Sequence, residues 1–243
     1  MADFNNNYQS QYRNMTIHDS RAVTISFINR VYAWMCGGLL LTALGAYAVI
    51  ASTELQKVVL KTPGVFLILI LLTFGLVVGL SWGINKMNST VAAVAFVVYS
   101  LLNGLTLSVL FYAYTKESLS LAFLVTAGTF GVMSLYGFIT GKDLTAMGNL
   151  CLMGLFGIII ASVVNIFLRS SGMMWIISYL GVLIFMGLTA YDTQKIKEMS
   201  VAMDSGGNSE HAKKYAILGA LTLYLDFINL FILFLRIFGG RRN

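Results

Sequence analysis

Residues 66–80 read FLILILLTFGLVVGL, fifteen positions with no charge and no alternation of polar with apolar side chains. A helix needs about 20 such residues to cross the hydrocarbon of a bilayer. Seven windows of that length and character recur along the chain, at 31–52, 64–84, 90–114, 118–140, 148–168, 173–192 and 216–238. They constrain the fold more than any motif does, because lipid offers no hydrogen-bond partner to a backbone and only helices or closed barrels satisfy their own. Continuous apolar runs lack the period of two that a barrel strand requires. Composition agrees: 58% apolar residues and 11% charged leave too little polar surface to clothe a soluble domain of 243 residues. The expected fold class is an all-α integral membrane protein with seven transmembrane helices, a single domain over 30–243 preceded by a polar tail over 1–29.

That tail lacks the short apolar core and small-residue cleavage site of a signal peptide, so the chain's own helices are expected to direct insertion. The net charge of +6 is scattered over tails and loops. Such scatter suits anionic lipid headgroups rather than nucleic acid. With the N-terminus in the cytoplasm, nine Lys and Arg residues, among them Lys86, Lys142, Lys195 and Lys197, fall on that side against seven on the other. The slight bias favours N-terminus in and C-terminus out.

Cys36 and Cys151 lie alone in apolar spans without metal-ligand spacing and read as small hydrophobes. His18 and His211 fall in polar segments, out of reach of an embedded nucleophile, so no histidine-based hydrolase is expected. Gly75, Gly79 and Gly83 follow at four-residue steps, a spacing that permits close helix packing. The long sixth connection, 193–215, begins as an amphipathic helical stretch and is broken by SGGNS.

Polar residues inside the spans carry the functional information. Asn103, Asn165 and Asn229 are placed to hydrogen-bond across helices. Asp226 stands near the middle of the seventh span and Asp192 at the end of the sixth. An ionised aspartate at a helix centre costs about 2.5–3.5 kcal/mol on insertion scales, so such residues face the bundle interior, pair, and mark ion or proton pathways. Two carboxylates about 4 Å apart would repel by roughly 4 kcal/mol at an effective dielectric of about 20, and would share a proton near neutral pH. Their oxygens also suit Ca²⁺ as a transient metal ligand pair. Spacing alone does not join them: a sixth helix ending near 199 and a seventh starting near 210 leave an offset on the order of 13 Å.

The segments GLTAYDTQKIK (187–197) and ALTLYLDFINLFILFLRIFG (220–239), with YSLLNGLTLS (99–108) and GVMSLYGFIT (131–140), resemble the signature of the Bax inhibitor-1 family, also called the transmembrane Bax inhibitor motif family. The resemblance covers nearly the whole chain and is closest to bacterial members. It implies six helices around a central seventh, and a pH-sensitive Ca²⁺ leak in which Asp192 and Asp226 serve as sensor and gate. Where some bacterial relatives carry an arginine latch, LSWGINKMNS (80–89) offers only Lys86, without arginine's planar bidentate fork. Asn103 and Asn229 are further candidates for the pathway. The same family implies a second role, as a regulator bound to other membrane proteins such as a membrane protease.

Two other classes fit poorly. An intramembrane aspartyl protease also uses aspartates on two adjacent helices, but LYLD stands where its glycine-x-glycine-aspartate element would be. A retinal protein needs a Schiff-base lysine, and no lysine lies between Ala216 and Phe238. No enzymatic activity and no organic cofactor are expected, with Ca²⁺ and protons as the species handled in a bacterial cytoplasmic membrane.

Overall fold

The computed structural model describes residues 2–62, 64–204 and 209–240, with side chains described over 22–62, 64–200 and 210–240. His18 and the loop residues 205–208 within SGGNS lie outside that range. The main helices are α1 (Ala2–Ala51), α3 (Val65–Gly83), α4 (Ser89–Leu107), α6 (Lys116–Ile139), α7 (Thr145–Leu168), α8 (Ser171–Asp204) and α9 (Ser209–Phe238). Two short helices, α2 (Thr53–Gln56) and α5 (Leu110–Ala113), and a π-helical turn, Lys57–Lys61, complete the order. Seven segments among the described residues are long and apolar enough to cross a membrane, and no strand occurs among them.

Local chemistry explains several boundaries. Asn88 accepts a hydrogen bond from the Val91 amide at 2.8 Å and starts α4, while Thr115 accepts from the Ser118 amide at 3.3 Å and starts α6. Gly64 adopts φ +86°, a left-handed turn that costs glycine least, before the chain enters α3. In the connection between α6 and α7, Asp143 accepts from the Thr145 amide at 2.8 Å. The Thr145 side chain and amide together hold this exposed carboxyl below the ordinary aspartate range.

α9 is the centre. Two-thirds of its spanning window, 67%, is buried inside the protein, against none of α7's. It packs on α8, α1, α6 and α4, and lightly on α3. α7 joins the bundle chiefly through α8. Because lipid tails are as apolar as leucine, these contacts rest on close packing and not on exclusion of water. The small residues that allow it are not the glycines of α3. A Cβ at Gly75 or Gly79 would meet open space, so that four-residue stripe faces away from the bundle. The closest backbone approach instead brings Gly104 of α4 onto the Thr42 carbonyl of α1, and Gly137 of α6 onto Ala190 of α8.

Three boundaries differ from the sequence reading. The bundle begins before residue 30, since Phe27 and Ile28 are already buried in its core. The third span is interrupted at Ser108 and Val109, between α4 and α5. The sixth helix runs beyond 199, to Asp204, burying Thr193, Gln194, Ile196 and Ser200 on one face while Lys195 and Glu198 stay exposed.

Candidate ion site

The extension of α8 reduces the depth mismatch between the two aspartates. Asp192 lies twelve residues before the helix end at Asp204, and Asp226 lies seventeen after the start at Ser209. The five-residue difference corresponds to about 7.5 Å along the axis, an amount that helix tilt and side-chain length absorb. The structure sets the two carboxyl groups as neighbouring charges across the α8–α9 interface. Asp226 is only 4% exposed, and its Oδ2 is buried without a hydrogen-bond partner. Asp192 is half-buried, with Lys195, one helical turn on, as a neighbouring charge.

Both aspartates line one cavity of about 780 Å³. Its floor is α9, and α3, α4, α7 and α8 supply its walls. Most of the lining is apolar, yet α9 turns a polar row toward it: Thr222, Asp226, Asn229 and Arg236 succeed one another at four-, three- and seven-residue steps. Tyr99 and Asn103 face the same space from α4.

The asparagines divide. Asn103 crosses between helices, its Nδ2 donating to the Tyr224 hydroxyl at 2.7 Å. Asn229 instead donates from Nδ2 to the Leu225 carbonyl of its own helix at 2.8 Å. Asn165 does not bridge helices; its Oδ1 accepts from the Ser170 amide at 3.0 Å and closes the end of α7. Lys86 is exposed in the connection between α3 and α4 and does not line the cavity, so the cation beside the pair is Lys195. His211 stacks on Tyr215, with ring centroids 6.4 Å apart.

Sequence reasoning missed Tyr224. This fully buried phenol packs edge-on against Phe96 and Tyr99, and its hydroxyl meets Thr42 Oγ1 at 2.6 Å. A tyrosine in an apolar run resembles any interfacial aromatic, and nothing in the sequence marks it as a hydrogen-bonding hub. Nor did the sequence reveal a chain of hydroxyls between helices, in which Ser134 joins Tyr32 and lies 3.1 Å from Thr193.

Among the described residues, no three His, Cys, Asp or Glu side chains gather into a metal-binding group. A cation here would meet carboxylate, amide and hydroxyl oxygens and water, a donor set that suits hard cations.

Comparison with known proteins agrees with this architecture. The sequence profile of the family described as "Inhibitor of apoptosis-promoting Bax1" matches residues 24–243. The inner membrane protein YbhL of Escherichia coli strain K12 is 49% identical over 231 residues, spanning 95% of this chain and 98% of its own. An uncharacterised protein of Borreliella burgdorferi is 46% identical over 217 residues, covering 89% of this chain and 93% of its own. The Lactococcus lactis protein YrjE is 36% identical over 229 residues, or 93% and 96% of the two chains. With its seven spans, its central last helix and a match over nearly its full length, the chain belongs to the Bax inhibitor-1 family.

Proposed function

We propose that this protein is a pH-sensitive Ca²⁺ leak of the bacterial inner membrane, with the Asp192–Asp226 pair as its gate and proton sensor. The supporting observation is the Asp226 carboxylate oxygen, buried without a partner and set against a second carboxyl in a polar-striped cavity. Burying a polar group costs free energy unless something satisfies it. A shared proton or a transient cation fills that role, and the two alternatives exclude each other at one pair of oxygens. Proton occupancy therefore sets cation occupancy, which makes conduction pH-dependent. The inner-membrane location is supported by the E. coli relative, whose name states it. The protein makes no covalent step, and Ca²⁺ passes as cargo.

The test is Ca²⁺ entry into liposomes holding the purified protein, followed across several pH values. Wild-type flux should vary with pH, and Asp226→Asn and Asp192→Asn should each flatten that profile. Flux no greater than in empty liposomes would overturn the leak and leave the regulator that binds other membrane proteins as the better reading.

A further inference from the structure

The hydrogen bonds around Asn103 have only one consistent direction. Thr42 Oγ1 lies 2.9 Å from the carbonyls of both Gly38 and Ser100, and a carbonyl cannot donate. The single Thr42 proton is therefore committed to the backbone. The Tyr224 hydroxyl, 2.6 Å from the same Oγ1, must then donate to it. With its proton spent on Thr42, the Tyr224 oxygen is left as an acceptor, and it takes the Asn103 Nδ2 proton at 2.7 Å. This relay turns the Asn103 amide so that nitrogen faces Tyr224 and oxygen faces the other way. Asn229 is oriented by the same logic: the Leu225 carbonyl can only accept, so Nδ2 is held against the helix.

Both side chains line the cavity that holds Asp226, and neither Oδ1 accepts a hydrogen bond among the described residues. Asp226 and Asn229 stand at i and i+3, neighbours on one helix face. Asp226 Oδ2 is thus a nearly fully buried carboxylate oxygen without a partner, and the two half-buried asparagines that line the same space have amide oxygens free to accept. Amide carbonyls and carboxylates are the protein ligands of hard divalent cations.

We propose that Asn103 and Asn229 are direct oxygen ligands which, with Asp226, form a cation site in the cavity, and that Tyr224 is the positioning residue that turns the Asn103 oxygen into it. This rests on the cation-pathway reading above and extends it from the aspartate pair to a site with contributions from α4 and α9. Water completes the coordination of a Ca²⁺-sized ion. One ligating carboxylate with two neutral oxygens favours weak binding and ready release, which conduction requires.

Terbium luminescence on the purified full-length protein tests the assignment. Tb³⁺ takes oxygen ligands as Ca²⁺ does, and Tyr99, which lines the cavity, is placed to sensitise it. The wild type should show saturable emission that Ca²⁺ displaces, with affinity read from the midpoint rather than the amplitude. Asn103→Leu and Asn229→Leu should each weaken Tb³⁺ binding by about tenfold or more, while Asn229→Asp, which adds a charge beside Asp226, should tighten it by about tenfold. A gain of affinity cannot come from misfolding. Tyr224→Phe should weaken binding about threefold or more with all three ligands kept, and a simultaneous Thr42→Val should add little, because both act through one relay. Wild-type protein without Ca²⁺-displaceable emission would overturn this site and the Ca²⁺ reading together. Emission lost in Asp226→Asn but unchanged in both leucine variants and in Asn229→Asp would overturn the asparagine ligands alone.

Discussion

At the scale of single residues, what a side chain does here depends on which neighbour takes its proton. Asn103, Asn165 and Asn229 look equivalent in sequence, yet one bridges helices, one closes a helix end and one bonds its own backbone. Glycines divide in the same way. Gly104 touches the α1 backbone, whereas Gly75 faces open space. Gly104→Val should therefore destabilise the protein by roughly 1–3 kcal/mol, the usual cost of overpacking, and Gly75→Val should leave thermal unfolding in detergent unchanged. Equal effects at the two positions would contradict this packing. The two aspartates were legible in the sequence because charge in an apolar span is rare and costly. Tyr224 and the orientation of Asn103 were not, since both depend on contacts between helices more than a hundred residues apart.

At the scale of elements, the spans were visible as apolar windows, and the amphipathic start of the sixth connection was legible as helix, but not how far it runs or what satisfies it. α8 runs on past Asp192 because its next turns are amphipathic and find partners. Gln194 accepts from the Leu144 amide and donates to the Lys142 carbonyl, both at 2.8 Å, and Lys197 caps the end of α6 by donating to the Phe138 carbonyl. A composition window stops where charges begin and cannot see such satisfied polar turns. The start of α9 is tied in a comparable way. Glu210 accepts from both the amide and the hydroxyl of Ser89, at 2.6 and 2.9 Å, so the first turn of α9 grips the first turn of α4. Glu210→Ala should free that turn, seen as faster amide hydrogen exchange at Ser89 and its neighbours with the rest of α4 unchanged. Unaltered exchange at Ser89 would show that the grip contributes nothing in solution.

At the scale of the whole molecule, the odd number of helices long enough to cross a membrane, seven among the described residues, predicts that the first and last of them end on opposite faces. The contacts between loops agree. Asn85 and Tyr215 meet at one end of the bundle, joined by a 3.0 Å hydrogen bond, while Thr115 and Ser118 meet Gly240 at the other. In a background with Cys36 and Cys151 replaced by serine, Lys142→Cys and Lys116→Cys should be labelled by a membrane-impermeant maleimide from opposite sides, with Lys116→Cys reached from outside intact cells. Labelling of both from one side would break the topology, and reversed labelling would invert the orientation. The number of spans was readable from the sequence because it is a count of apolar windows. The choice of α9 as the centre followed from family likeness rather than hydropathy, for α3 and α7 are the more hydropathic helices and the ones with the least burial.

One feature of that arrangement bears on mechanics. α7 forms a wall of the cavity that both aspartates line but is fastened to the bundle chiefly through α8, the helix that carries Asp192. With little else to brace it, α7 takes its place from α8, so a displacement of α8 would reach that cavity through two of its walls at once.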